Sequence, residues 1–133
     1  MQDHTVEVEV SGSEPAMRYA DNFNVVVPFI DRHLEEGRGD KVVIRTADGD
    51  SVTYAQLAGN VNRCGNVLRS LGLNYGDRLL MVVKDCPEFF YLFWGAIKAG
   101  FVPVPLNTRL RSADSQYLIE DSAGRAGSDS SVF

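Results

Sequence analysis

Residues 78–106 read RLLMVVKDCPEFFYLFWGAIKAGFVPVPL, and this stretch decides the fold. Leu79 to Val83 is a continuous apolar run, the pattern of a strand covered on both faces as in a parallel sheet. Asp85 can cap the helix that follows, with Pro87 in its first turn. Phe89 to Ala99 is apolar nearly all round, so this helix is expected to pack on more than one side until Gly100 stops it. Val102-Pro103-Val104-Pro105-Leu106 then reads as a short strand whose prolines place it near a strand end or an edge. Strand, helix and strand in this order form a βαβ unit, for which a right-handed crossover is expected.

Upstream, Thr53 can cap a long helix. Its apolar residues Tyr54, Leu57, Ala58, Val61, Cys64, Gly65, Leu68 and Leu71 recur at spacings of three and four, and Gly72 stands at its end. Before it, Lys41 to Thr46 and Asp50 to Tyr54 flank Asp48-Gly49, a hairpin signal. A first helix is expected from Asn24, which can cap it, through Val26, Phe29, Ile30, His33 and Leu34 to Gly37 and Gly39. Residues 1–22 carry little pattern beyond alternating acidic and valine residues, and read as a mobile or loosely docked arm. Downstream, Ser112 is expected to cap a last helix to about Asp121, and residues 123–133 form a Gly/Ser-rich tail. The expectation is one α/β unit over residues 23–122: a short β-hairpin, then βαβ with parallel strands and packed helices.

Composition narrows the function classes. The chain has 133 residues, 44% of them hydrophobic and 23% charged, as in ordinary globular domains. A net charge of −5 with scattered Lys and Arg lacks the basic stripe of a nucleic-acid binder. No secretory signal is visible at the N-terminus, so a cytoplasmic location is expected. The longest apolar run, Phe89 to Ile97, is far short of the roughly 20 residues of a membrane span. Cys64 and Cys86 are far apart and lack His companions, so two free thiols are expected rather than a disulfide or metal pair.

Few motifs carry chemistry. Gly37-Arg38-Gly39 lacks the third glycine of a dinucleotide fingerprint, and no glycine loop leads into Gly-Lys-Ser/Thr. His4 and His33 have no ligand partner at helical spacing, which favours structural roles. Arg38-Gly39-Asp40 reads as a helix-ending loop rather than an adhesion signal. Asp85 and Glu88 follow a parallel strand at the side where open α/β sheets bind ligands, although helix capping explains Asp85 equally well. Arg109 and Arg111 also follow a strand, where a guanidinium could grip a phosphate; a solvated basic loop is the plainer alternative.

Several words in fixed order resemble the opening of benzoate-CoA ligases, within the adenylate-forming superfamily of acyl-CoA synthetases. They include Phe23-Asn24, Glu36-Gly37-Arg38-Gly39-Asp40-Lys41-Val42, Thr53-Tyr54-x-x-Leu57 and Asn62-Arg63-x-Gly65-Asn66-x-Leu68. Leu71-Gly72-Leu73, Gly76-Asp77-Arg78, Gly95-Ala96-Ile97-Lys98-Ala99-Gly100, Val102 to Thr108 and Tyr117-Leu118-x-Glu120-Asp121-Ser122 continue the series. The resemblance implies a partial N-terminal subdomain of the adenylate-forming fold. It also implies a two-step reaction, in which a carboxylate and ATP give an acyl-adenylate and pyrophosphate, and the CoA thiol then displaces AMP. A complete enzyme of this kind would use ATP, Mg²⁺ and CoA. The family's phosphate loop and catalytic lysine have no counterpart in these residues, so no catalytic residue and no cofactor are expected for the chain alone. Within Asn107-Thr108-Arg109-Leu110 the resemblance implies that Arg109 faces the phosphates of the CoA nucleotide. After Ser122 the family continues with an Ala/Val/Leu-rich strand, where this sequence has Gly124, Gly127 and Ser128 to Ser131, as a frameshifted, truncated or partial reading frame would. Two functions follow: a scaffold completed by the remainder of an aryl- or acyl-CoA ligase, or a noncatalytic binding or regulatory module that associates with itself or another chain.

Overall fold

The computed structural model describes residues 1–122. At its centre β5 (Arg78–Met81) and β6 (Val102–Pro105) pair in parallel, Arg78 opposite Val102 and Met81 opposite Pro105. The Val102 N–H donates to the Asp77 carbonyl at 2.9 Å and the Leu106 N–H to the Met81 carbonyl at 2.8 Å. Even-numbered residues of β6 therefore point their donors at β5, and Pro103 and Pro105 occupy the outward positions with no N–H to offer. That arrangement places the prolines on an edge, as their spacing predicts. Only one face of β5 is well covered among the described residues: Leu79 and Met81 are buried, whereas Leu80 is half-buried and Val82 is 39% exposed. Two-sided burial of the run is thus not met, because α2 and α3 both pack on a single side.

Those helices, α2 (Tyr54–Ser70) and α3 (Pro87–Ala99), make the largest contact among the described residues. A capping box starts α2, with the Thr53 hydroxyl accepting from the Gln56 N–H at 3.3 Å and the Gln56 side chain accepting from the Thr53 N–H at 2.9 Å. Five of its predicted apolar positions, Leu57, Ala58, Val61, Gly65 and Leu68, are buried. Capping of α3 differs from the expectation: Cys86 holds the N-cap position, and Asp85 lies one residue too early to reach the first turn's N–H groups. Pro87 supplies the first turn, and Gly100 ends the helix at φ 93°, a left-handed conformation that suits glycine.

The crossing is close because both helices present glycine. A Cβ on Gly95 would lie 2.8 Å from the Cys64 Cβ, 3.0 Å from the Val61 carbonyl oxygen and 3.1 Å from the Gly65 nitrogen. Apolar clusters gather on either side. Val26, Ile30, Val52, Leu57, Ala58 and Val61 form one, with Tyr91, Trp94 and Ile97 of α3 packed against it. Leu68, Leu79, Met81, Ala96 and Phe101 form the other, closed by Phe89, Leu92 and Phe93. Apolar side chains all round α3 are thereby used on two sides, as its composition predicts.

Towards the N-terminus, β3 (Val42–Arg45) and β4 (Ser51–Thr53) form the expected hairpin, with Gly49 at φ 93° in the turn. Val26 rather than Asn24 holds the N-cap position of the first helix, although the Asn24 side-chain oxygen accepts from the Val26 N–H at 3.1 Å just before it. The helix is π-helical over Val27–Asp31 before one α-helical stretch, α1 (Arg32–Glu35). The wider π turn shifts the helical phase, so Val26 and Ile30 stay buried while Phe29 and Leu34, predicted to face inward, turn outward. Two ties fasten this segment to α3: Asn24 Nδ2 donates to the Ile97 carbonyl at 3.1 Å, and Lys98 Nζ pairs with Asp31 at 2.8 Å.

Residues 1–22, for which the sequence suggests no regular structure, form an antiparallel ribbon of β1 (Val6–Val10) and β2 (Pro15–Tyr19). At the other end, α4 (Ser112–Asp121) has no buried residue, and Arg111 rather than Ser112 holds its N-cap position. The Gly/Ser-rich tail expected over residues 123–133 lies outside the described residues.

Substitution at two glycines separates close packing from helix propensity. Gly95→Ala should lower stability by about 1–3 kcal/mol, since the added methyl overfills the crossing. Gly59→Ala, in the same pair of helices but with nothing within 4 Å of its Cβ position, should raise it by roughly 0.5–1 kcal/mol. Urea midpoints of the two variants check both signs.

Candidate functional site

Parallel pairing brings the carboxyl ends of β5 and β6 side by side, the place where open α/β sheets gather ligands. The Leu106 N–H bond to the Met81 carbonyl holds the two exits together. Beyond it the chain turns at once: the Asn107 side-chain oxygen accepts from the Arg109 N–H at 2.9 Å, and the Asn107 carbonyl accepts from the Leu110 N–H at 3.2 Å. This double use of Asn107 fixes the backbone of Arg109. The Arg109 side chain is exposed, and among the described residues its guanidinium has no hydrogen-bond or ion-pair partner. Arg111 is equally exposed at the start of α4.

The remaining sequence candidates are accounted for by structure. Glu88 stands in the first turn of α3, where its own backbone N–H and then the Cys86 thiol favour the carboxylate and hold it below the usual range. His4, at φ 60°, turns its Nδ1 to accept from the Asn24 N–H at 3.0 Å, and so anchors the N-terminal ribbon to the first helix. Nothing in the sequence signals that long-range bond. His33 accepts from Arg38 Nε at 2.9 Å through Nδ1 and lies against Tyr54, ring centroids 4.1 Å apart. Arg38 also pairs with Glu36, and its carbonyl accepts from the Lys41 N–H, so Arg38-Gly39-Asp40 is the helix-ending turn that its glycines suggest. Cys64 and Cys86 are free thiols, half-buried, and burial pushes the Cys64 thiol up. Among the described residues no group of three or more His, Cys, Asp or Glu could hold a metal ion. No helix among them is long and apolar enough to cross a membrane.

Sequence reading missed an open cleft of about 680 Å³ between the π-helical segment, the β3–β4 hairpin and the start of α3. Phe29, Tyr54, Phe90 and Trp94 line it, with Asp85 and Cys86 at one side. Phe29 and Trp94 stack across it at 6.1 Å. The available signal was the spacing of Phe90 and Trp94, one helical turn apart, which alone does not separate a cleft wall from a filled core. The carboxylate of Asp85 borders this cleft rather than capping a helix.

Comparison with known proteins fits this geometry. Residues 30–126 match the family model described as AMP-binding enzyme. A 4-hydroxybenzoate–CoA/benzoate–CoA ligase of Rhodopseudomonas palustris is 44% identical over 112 residues, covering 84% of this chain and 21% of that protein. A benzoate–CoA ligase of Thauera aromatica is 44% identical over 116 residues, 86% of this chain and 22% of the relative. Among solved structures, a benzoate CoA ligase from Burkholderia xenovorans superposes with a TM-score of 0.69 at 36% identity, over 77% of this chain and 20% of that one. The chain thus spans about a fifth of the length of the curated relatives it matches. The fold is the partial N-terminal subdomain of the adenylate-forming architecture.

Acid should weaken this fold through His33. Partial burial, then Arg38 and Arg32, hold its imidazole below the ordinary value of about 6.5, and only Glu36 opposes them. Below about 6.5 the unfolded chain therefore binds a proton that the folded chain resists, and stability falls as pH drops from there through the lowered folded value. Urea midpoints between pH 7.5 and 5 should decline, and His33→Gln should flatten that decline. An unchanged slope in the variant would contradict the assignment.

Proposed function

The chain belongs to the AMP-binding enzyme family, and from that premise we propose that it is the N-terminal scaffold of an ATP-dependent carboxylate–CoA ligase acting on benzoate or another aryl acid. The observation that carries this reading is the similarity to aryl–CoA ligases over most of the chain. In the reaction, a carboxylate oxygen attacks the α-phosphorus of ATP and expels pyrophosphate. The CoA sulfur then attacks the acyl carbon of the adenylate and expels AMP. Developing negative charge in both steps calls for preorganised cations and donors.

For one of those groups we take Arg109. A guanidinium stays charged, matches phosphate oxygens in bidentate fashion, and here stands on a backbone fixed by Asn107 at the carboxyl ends of two parallel strands. We assign it to the phosphates of the CoA nucleotide. The family's phosphate loop and catalytic lysine have no counterpart in these residues, so the 133-residue chain alone is expected to turn nothing over. The same reading makes the remainder of a ligase its natural partner and places it in the cytoplasm, with a net charge of −5 that disfavours nucleic acid.

A chimera tests the assignment. Residues 23–122, placed at the head of a benzoate–CoA ligase in exchange for the corresponding segment, should support benzoyl-CoA formation. Arg109→Ala in that chimera should raise the KM for CoA roughly tenfold, the size of one charge-assisted contact of ~1.5 kcal/mol. Benzoate-dependent ATP–pyrophosphate exchange should stay unchanged. An unaltered CoA dependence would remove Arg109 from the site.

A further inference from the structure

A short connection, Asn107 to Arg111, separates the last bond of the parallel sheet from the first bond of α4. The sheet ends where the Leu106 N–H donates to the Met81 carbonyl at 2.8 Å, and the helix begins where the Ser115 N–H donates to the Arg111 carbonyl at 3.0 Å. Among the described residues this connection is held by two hydrogen bonds of its own, and both end on Asn107. Its side-chain oxygen accepts from the Arg109 N–H at 2.9 Å, and its carbonyl accepts from the Leu110 N–H at 3.2 Å. Packing adds little: Asn107, Thr108, Arg109 and Arg111 are exposed, Leu110 is half-buried, and α4 buries no residue.

The backbone of Arg109 is therefore set by a single neighbour. Asparagine suits the task, since its amide oxygen imitates a backbone turn by taking the N–H two residues on. It also carries no charge, so it does this without placing an anion beside a phosphate-binding guanidinium.

We propose that Asn107 is a positioning residue for CoA: through the turn it holds, it presents the Arg109 guanidinium to the nucleotide phosphates before they arrive. This rests on the assignment of Arg109 to those phosphates. An arginine on a free loop must have its backbone as well as its side chain ordered when it grips a phosphate, and that ordering weakens binding. Here the backbone share is met on folding, because the Asn107 bonds form within the chain itself. Asn107 touches no reacting atom in this role. Its removal should weaken CoA binding, leave adenylation alone, and act only while Arg109 is present.

Two measurements test the proposal. Backbone amide relaxation by NMR on the 133-residue chain reads the turn. The Arg109 amide should have an order parameter of about 0.8, near that of rigid backbone, and Asn107→Ala should bring it below about 0.6. Asn107→Ser, whose hydroxyl takes the same N–H more weakly, should recover part of the loss. An Arg109 amide already mobile in the unaltered chain, or unmoved by Asn107→Ala, would overturn the proposal.

Kinetics of the benzoate–CoA ligase chimera read the function. Asn107→Ala should raise the KM for CoA roughly three- to fivefold, less than Arg109→Ala does, because the bound nucleotide can still order the turn. Both kcat and benzoate-dependent ATP–pyrophosphate exchange should stay unchanged, and adding Asn107→Ala to Arg109→Ala should change nothing further. An equal rise in the Arg109→Ala background would make Asn107 independent of the arginine and overturn the proposal. So would a fall in exchange, the mark of a merely structural loss. If Arg109→Ala leaves KM unaltered, the site assignment fails and the proposal with it; if Arg109→Ala raises KM and Asn107→Ala does not, only the proposal fails.

Discussion

The approach of α2 to α3 through Gly65 and Gly95 is the constraint on which the rest of the structure depends. With Gly95 so near the Cys64 Cβ and the Val61 carbonyl, no side chain fits between the helices at this level. Each helix can therefore serve two apolar clusters at once. Val61 and Leu57 of α2 turn to the first helix and the β3–β4 hairpin, and Leu68 turns to β5. On α3, Trp94 and Ile97 close the first cluster, while Ala96 closes the second. Burying an aliphatic side chain of this size contributes roughly 1.5–3 kcal/mol, so loss of the crossing would loosen both clusters together.

From that crossing the geometry of the strand exits follows. With α2 and α3 locked, Leu79 and Met81 seat β5 on one side of the helices, and β6 follows in register. The Met81–Leu106 hydrogen bond then delivers the chain to Asn107, whose side chain fixes the turn bearing Arg109. An exposed arginine is usually unremarkable. Here its backbone is specified by a chain of contacts that leads back to two glycines. At the other end of α3, Lys98 and the Ile97 carbonyl hold the first helix through Asp31 and Asn24, and His4 extends the tie to the ribbon.

How much of this was legible depended on whether the signal was local. Thr53 with Gln56, Asp48-Gly49 and Gly100 act within a few residues, and the sequence alone placed the elements they bound. The apolar perimeter of α3 correctly announced packing on two sides. Asp85 misled because capping depends on where the helix starts, and the chain starts it one residue later, at Cys86. Phe29 misled because the π turn breaks the regular period on which its inward placement rested. The ribbon went unread because its Val and Glu alternation had no core to face, even though Val10 and its mate Pro15 are close in the chain. His4 bonding Asn24 and the cleft at Trp94 are tertiary features with no local mark. Arg109 was singled out through family resemblance alone, since composition gives an exposed arginine no distinction.

Amide hydrogen exchange, followed residue by residue in the 133-residue chain, bears most directly on the central role of the crossing. If α2 and α3 form the unit on which both clusters depend, the slowest amides should lie within Val61–Leu68 and Phe93–Ala99 and open only with global unfolding. Those of α4, which buries no residue, should exchange through local opening. Early exchange at the crossing while the β3–β4 hairpin or α4 stays protected would contradict the account.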